Sequence, residues 1–222
     1  MFGKKLPAAV LWDMDGTLVD SEHYWLASEQ SLAREHNAVW TEQDGLDLIG
    51  NSLYDSSKII KQKLGSEMEP EQIVQHLTDS VVARLSVSIP WRPGAHELLR
   101  ELKRKKIKTA LVTMSLHRMA KTVVDKIPFE AFDVIVGGDD VQRGKPYPDP
   151  YLKAAELLGV DPADCVAFED SDTGLRSAEA AGTKAVGVPN FIEIPSQPGR
   201  ILWPTLEGVK IKDLQKLFEA KK

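Results

Sequence analysis

The residues best suited to chemistry in this chain are carboxylates, and they lie in short clusters directly behind apolar runs. Asp13-Met14-Asp15-Gly16-Thr17 follows the run Ala8 to Trp12. Thr113-Met114-Ser115 follows a second run, Gly137-Gly138-Asp139-Asp140 a third, and Glu169-Asp170-Ser171-Asp172 a fourth. Acidic side chains gathered this closely repel one another unless a cation stands among them. Hard carboxylate oxygens suit Mg²⁺, which takes a few protein ligands and keeps several waters. One lysine is close by, in Gly144-Lys145-Pro146. A metal, a lysine and a hydroxyl together form a receptacle for a phosphoryl group. A purely structural role for Asp13 and Asp15 is a poor explanation, because two aspartates closing an apolar strand are costly unless used.

The apolar runs must position these clusters. Ala8 to Trp12, Thr109 to Thr113, Phe132 to Val136, Asp164 to Phe168 and Lys184 to Val188 are rich in Val, Leu, Ile and Ala and do not alternate with polar residues. Strands covered on both faces have this pattern. Helical patterns lie between them: Glu97 to Lys105, Leu116 to Lys126, Tyr151 to Leu158 and Thr173 to Ala181. Gly159 and Gly182 stand just past the last two, where a helix usually stops. Strand alternating with helix implies an α/β fold, a Rossmann-like parallel sheet with helices on both faces. Ligands of such sheets bind outside the carboxyl ends of the strands, which is where the clusters fall.

The stretch 21–88 breaks this rhythm. It contains no convincing strand and reads as four helices: Glu22 to Glu35, Glu42 to Ile49, Tyr54 to Leu64 and Pro70 to Leu85. The expected organisation is a catalytic core formed by 1–20 and 89–222, with an inserted all-helical cap over 21–88. Ile89-Pro90-Trp91-Arg92-Pro93-Gly94 would be the second hinge.

Bulk properties narrow the class. The chain has 222 residues, of which 42% are hydrophobic and 27% charged, an ordinary globular profile that does not suggest disorder. Lys and Arg number 28 against 33 Asp and Glu, a net charge of -5 that argues against a nucleic-acid partner. No apolar run approaches the roughly 20 residues that span a bilayer, so no membrane partner is expected. The apolar stretch after Lys4-Lys5 is broken by Asp13 and Asp15, too soon for a signal peptide. The single cysteine, Cys165, lies in an apolar run and reads as a buried thiol in a reducing compartment. A cytoplasmic monomer is the simplest expectation. Other motifs fail: Leu18 would take the sixth-position glycine of a calcium loop starting at Asp13, and Pro146 the Ser or Thr of a phosphate loop.

Taken in order, Asp13-Met14-Asp15-Gly16-Thr17-Leu18-Val19-Asp20, Thr113, Gly144-Lys145-Pro146-Tyr147-Pro148-Asp149-Pro150 and Phe168-Glu169-Asp170-Ser171-Asp172-Thr173-Gly174 resemble the four motifs of the haloacid dehalogenase superfamily. The similarity is to its branch of phosphatases and phosphomutases with a helical cap. It implies an aspartyl-phosphate on Asp13. Asp15 would be general acid and then general base. Thr113, Lys145, Ser115 and His23 would contact the substrate. Mg²⁺ would take Asp13, the Asp15 carbonyl and Asp170, with Glu169 in direct contact or one layer behind. The implied substrate is a small phosphorylated metabolite, by analogy a sugar or polyol phosphate; glycolate phosphate and nucleotides stay open. The alternative is a hexose phosphomutase similar to β-phosphoglucomutase. Tyr24 is followed by Trp25 rather than histidine, and Gly50-Asn51-Ser52 stands where mutases tend to carry an arginine, which favours hydrolysis. A non-catalytic binding protein on this fold would be expected to lack Asp13 or Asp15.

Several residues carry a plainer reading beside the chemical one. Asp20 and Asp172 suit helix caps, as does Ser115. Asp139 and Asp140 suit a loop. His23 stands where the cap begins, and Trp25, Asn51, Ser52 and Lys58 join it as candidates for selectivity. For Trp25 and Trp91 packing is the favoured role. His36, His76, His96 and His117 show no metal-ligand spacing and read as surface residues.

Overall fold

The computed structural model describes residues 5–219. The first four and last three residues of the expected core lie outside the described residues, and so does the start of the segment weighed as a signal peptide. Six parallel strands form one sheet: β1 (Ala9–Trp12), β2 (Lys108–Val112), β3 (Val134–Val136), β4 (Cys165–Glu169), β5 (Lys184–Gly187) and β6 (Ile201–Leu202). The spatial order is β3-β2-β1-β4-β5-β6. β1 is central, with Leu11 opposite Ala110 on one side and Ala167 on the other. All four of its residues are fully buried, as the unbroken apolar run requires. The sequence reading covers the first five strands. It has no counterpart for β6, a two-residue strand that is only half buried and too short to show a period.

Helices α5 (Ala95–Arg104), α6 (His117–Val124), α7 (Asp149–Leu158), α8 (Asp172–Ala180) and α9 (Ile211–Lys216) surround the sheet. Two apolar clusters cover its faces. One contains Trp12, Phe168, Leu99 and Val123, and the other contains Leu11, Tyr151, Leu158 and Leu175. Trp12 and Phe168 meet at 4.9 Å between ring centres. Gly159 ends α7 at φ 64°, a left-handed conformation in which a side chain would be strained.

Between β1 and β2 in the chain come α1 (Glu22–Glu35), α2 (Glu42–Leu46), α3 (Leu53–Leu64) and α4 (Pro70–Val87). No strand interrupts them. Pro70 occupies the first turn of α4, where its missing N–H costs nothing. Leu32, Ile60, Ile73, Val81 and Leu85 are buried between these helices. The two chain crossings into this helical block run side by side: Asp20 N donates to Pro90 O at 2.7 Å and Arg92 N to Leu18 O at 3.0 Å.

Three expected caps are corrected. Ser115 does not cap α6; the chain stays extended through Leu116, and the Ser115 hydroxyl turns to Asp15. Asp139 supplies the cap from another loop, accepting from His117 N at 2.7 Å, while Asp140 accepts from the His117 ring. Ser171 rather than Asp172 caps α8, leaving Asp172 to pair with Arg200 at 2.7 Å. Asp20 caps nothing; it accepts from Asn190 Nδ2. Cys165 is buried, and burial pushes its thiol up to about 12. Among the described residues no helix is long and apolar enough to cross a membrane.

Candidate active site

The carboxyl ends of β1, β2 and β4 converge where the strand order reverses, the place at which an open α/β sheet leaves a crevice. Behind β1 the chain turns at once: Leu18 N and Val19 N both donate to Met14 O, and Gly16 takes φ 84°. A Cβ on Gly16 would come within 1.9 Å of Asp170 Oδ2, so only glycine lets the β1 turn and the β4 end approach this closely.

Asp13 is 6% exposed and stands at the end of β1. Lys145 Nζ donates to Asp13 Oδ1 at 2.6 Å, pairs with Glu169 Oε1 at 2.6 Å and donates to Val112 O at 3.0 Å. An ammonium has three protons, so these contacts use all of them. Lys145 was expected to touch the phosphoryl group as well as Asp13; here it is saturated by groups of the chain. Tyr151 O–H donates to the same Glu169 oxygen at 2.5 Å. Glu169 therefore orients Lys145, and Tyr151 orients Glu169. Tyr151 went unremarked in the sequence because it reads as an ordinary apolar position of α7. Glu169 itself needs Gly174 opposite, where a Cβ would lie 2.0 Å from Oε2.

Asp13, Glu169 and Asp170 are all buried, and each has an oxygen within 4.8 Å of the others. Burial raises Asp13 to about 7; the Glu169 charge adds to this and Lys145 opposes it. Burial also drives Asp170 well above the ordinary range, with Asp13 and Glu169 next in effect. Burial works against a charged Lys145, but the charges of Asp13 and Glu169 outweigh it and hold the ammonium above its usual value. Asp13 Oδ2 is buried and has no hydrogen-bond partner. Three buried carboxylates with one lysine and one orphaned oxygen fit a hard divalent cation such as Mg²⁺. Asp15, expected to meet the metal through its backbone carbonyl, keeps its carboxylate outside this trio.

Asp15 points the other way. It accepts from Ser21 Oγ at 2.5 Å and Trp25 Nε1 at 3.2 Å on one oxygen. The other oxygen accepts from Ser115 Oγ at 2.7 Å and Thr113 Oγ1 at 3.2 Å. Thr113 and Ser115 are thus brought to the site as expected, with their hydroxyls on Asp15. Ser21 and the indole of Trp25 are further partners that the sequence did not announce. Trp25 does more than pack.

Beyond Asp15 opens a cavity of about 890 Å³, its mouth included, between the sheet edge and the helical block. Leu48, Leu53, Ile60, Val74 and Leu77 line its far wall, with Glu22, Glu29, Asn51 and Ser56. Burial raises Glu22 to about 8, the Asp15 charge coming next. Burial likewise raises Glu29 to about 7, against the bond from Trp40 Nε1 at 2.9 Å.

His23 is not brought to this cavity, contrary to expectation. It is exposed, meets the Tyr24 ring at 4.2 Å in a tilted contact, and lines, with Leu26 and Phe191, an adjoining recess that shares Glu22, Trp25 and Glu29 with the cavity. One residue after Glu22 on a helix, it is turned by about 100° from the face that Glu22 presents. Ser52 caps α3 through Asp55 N, and Lys58 is exposed beside Asp55 and Tyr54. Of the selectivity candidates, Trp25 and Asn51 reach the cavity.

Comparison with known proteins decides the family. A model described as haloacid dehalogenase-like hydrolase matches residues 10–188. The chain belongs to this family. A phosphorylated carbohydrates phosphatase of Thermotoga maritima is 32% identical over 80% of the chain and 83% of its own length. β-Phosphoglucomutase of Bacillus subtilis is 30% identical, with 81% of the chain and 82% of the enzyme covered. A bifunctional riboflavin kinase/FMN phosphatase of Arabidopsis thaliana is 32% identical over 85% of the chain, which spans 50% of that protein. Among solved structures, CbbY of Rhodobacter sphaeroides in complex with xylulose-(1,5)bisphosphate superposes with a TM-score of 0.83 at 26% identity, covering 91% of this chain and 96% of CbbY.

Proposed function

We propose that the protein is a Mg²⁺-dependent phosphatase that hydrolyses a small phosphorylated metabolite, a sugar or polyol phosphate, through an aspartyl-phosphate on Asp13. The observation that carries this reading is the state of Asp13. It is buried at a strand end, with one oxygen held by Lys145 at 2.6 Å and the other unpartnered. A carboxylate kept dry and oriented in this way is prepared to attack.

The chain's own groups supply the following steps. An Asp13 oxygen bonds to phosphorus while the bond from phosphorus to the leaving oxygen breaks. Asp15 gives its proton to that leaving oxygen. Water then attacks phosphorus, Asp15 takes the water's proton, and the bond from Asp13 to phosphorus breaks to release phosphate. Thr113 and Ser115 hold Asp15 before substrate enters and are placed to turn their hydroxyls to the phosphoryl oxygens. Lys145, fixed by Glu169 and Val112, offsets the charge on Asp13. Mg²⁺ would be held by Asp13, Asp170 and the Asp15 carbonyl, with Glu169 one layer behind on Lys145, and when bound it would offset the repulsion between an anionic nucleophile and an anionic substrate. The helical block 21–88 acts as the cap that excludes water during the first step. A reducing, cytoplasmic setting suits a chain with one buried thiol.

The test is hydrolysis of a generic aryl phosphate by the purified protein, with Mg²⁺ and with EDTA, beside Asp13→Asn. The expected result is turnover that needs the metal and falls by about 10⁴-fold or more in the variant. Turnover that survives both EDTA and the substitution overturns the mechanism.

A further inference from the structure

We propose that the cavity selects substrates bearing a single phosphoryl group and no other anionic group, so that the remainder is a neutral polyol or carries a positive charge. The inference rests on the phosphatase reading for the end at which the phosphoryl group sits. It concerns what lies at the other end.

Among the described residues lining the cavity, Lys145 is the only Lys, Arg or His. Its ammonium is spent on Asp13, Glu169 and Val112, at the phosphoryl end. The far wall offers a second anion nothing to pair with. Its apolar side chains are interrupted by Glu22 and Glu29, and its hydrogen-bonding groups include Asn51 and Ser56. The lysines of α3 turn outward, where Lys58 pairs with Asp55, Lys61 with Glu69 and Lys63 with Asp44. Helix starts, the other common anion sites, are taken as well. At the cavity, α1, α3 and α8 each carry an acid in the first turn: Glu22, Asp55 and Asp172.

Moving a second phosphoryl or a carboxylate against this wall strips it of water with no cation in exchange. Glu22 and Glu29 give it no compensating charge when protonated and repel it in addition when ionised. Substrate hydroxyls meet the opposite situation, since carboxyl, amide and Ser56 hydroxyl groups all exchange hydrogen bonds with them. An ammonium favours the ionised form of Glu22 or Glu29 and so gains a carboxylate partner. The same charge pattern separates hydrolysis from transfer between sugars. A route through a bisphosphate has to hold two phosphoryl groups at once, and this cavity has a cation for one.

The experiment measures binding to Asp13→Asn in the presence of Mg²⁺ by calorimetry, and kcat/KM for the unaltered protein. Four probes are used: fructose 1-phosphate with a neutral remainder, glucosamine 6-phosphate with an amine, phosphoglycolate with a carboxylate, and fructose 1,6-bisphosphate. The better of the first two is expected to bind at least about tenfold more tightly than either of the last two. Asn51→Arg places a cation at an exposed position of the lining, and it should raise affinity for the bisphosphate relative to fructose 1-phosphate by about tenfold. At pH 8, above the value of about 7 to which Glu29 is raised, Glu29→Gln, which keeps an acceptor for Trp40, should narrow the gap between neutral and anionic probes. Equal or tighter binding of an anionic probe, no binding of any of the four, or a gap that neither substitution moves overturns the inference. If the binding order holds while the unaltered protein hydrolyses none of the probes, the phosphatase reading fails and the charge selection stands.

Discussion

On the sheet side of the cavity, Asp13, Lys145, Glu169 and Asp170 stand at strand ends and in the loops behind them, held by direct contacts of 2.6 Å between Lys145 and two of the carboxylates. On the helical side, Glu22 and Glu29 stand seven residues apart on α1, hence on one face two turns apart, among leucines, isoleucines and valines. Both walls bury carboxyl groups, but only one gives them a cation. Burial raises Asp13 on the sheet wall too, to about 7, but a lysine, Lys145, opposes that rise and favours the carboxylate that attacks. Carboxyls buried without one are pushed toward the neutral form, and what they contribute is discrimination.

The sharpest way to break that division is to alter Asp15, which lies between the walls. Asp15→Asn keeps the shape but brings an NH₂ group against hydroxyl and indole donors, and it removes the transferable proton. Activity on a sugar phosphate should fall by about 10³-fold or more, and by less on an aryl phosphate, whose leaving group needs the proton less. An equal small loss on both would deny Asp15 its acid role. Lys145→Met comes next. It leaves Asp13 and Glu169 buried without their cation, and kcat/KM should fall by about 10²- to 10³-fold with Mg²⁺ present. A loss of only a few fold would mean that the metal alone neutralises the nucleophile, and the contrast between the walls would then rest on the ion rather than the lysine.

The contrast also explains what the sequence disclosed. The sheet wall was legible because strand ends in an α/β fold point their following residues at one crevice, so clusters behind Trp12, Val112 and Phe168 had to meet. Lys145, far along the chain, was legible because prolines fix its loop beside the same edge. The helical wall was not legible. A glutamate on a helix is usually solvated, and nothing local to Glu22 or Glu29 says that α3 and α4 will cover them. His23 was misplaced for the same reason, because one step along a helix turns a side chain by about 100° and the sequence does not show which face is covered. Ser115 failed differently: its type suits a cap, but capping depends on where the helix starts, and Leu116 delays that start by one residue.

The helical wall makes a prediction about stability. Glu29 has an ordinary value of 4.5 and is raised to about 7 in the fold, mainly by burial. A carboxyl raised on folding keeps its proton in the native state while the unfolded chain has lost it. Its contribution is therefore most favourable below pH 4.5, declines as pH rises toward 7, and is flat above that. The decline amounts to about 3 kcal/mol by linkage. Glu29→Gln removes it, so the variant should gain roughly that much over the unaltered protein at pH 8 and show no gain at pH 4. Urea denaturation of both proteins across that range reads the difference directly. A gain that is constant with pH would mean that Glu29 is not held neutral, and its wall would then resemble the sheet wall more than the geometry indicates.

The smallest effect expected is at Trp25, where the two walls touch. Its indole N–H donates to Asp15 Oδ1 at 3.2 Å, the longer of the two bonds to that oxygen, while its ring is 8% exposed at the cavity. Trp25→Phe keeps most of the apolar contact and deletes the donor. One hydrogen bond to the Asp15 carboxyl, shared with Ser21, contributes about 1 kcal/mol, which corresponds to roughly a fivefold fall in kcat. KM for a neutral monophosphate should hardly change if the bond serves only to aim Asp15. A rise in KM with kcat unaltered would instead place Trp25 on the selecting side, against the substrate's non-reacting end. The measurement therefore fixes where the chemical wall stops and the selecting wall begins.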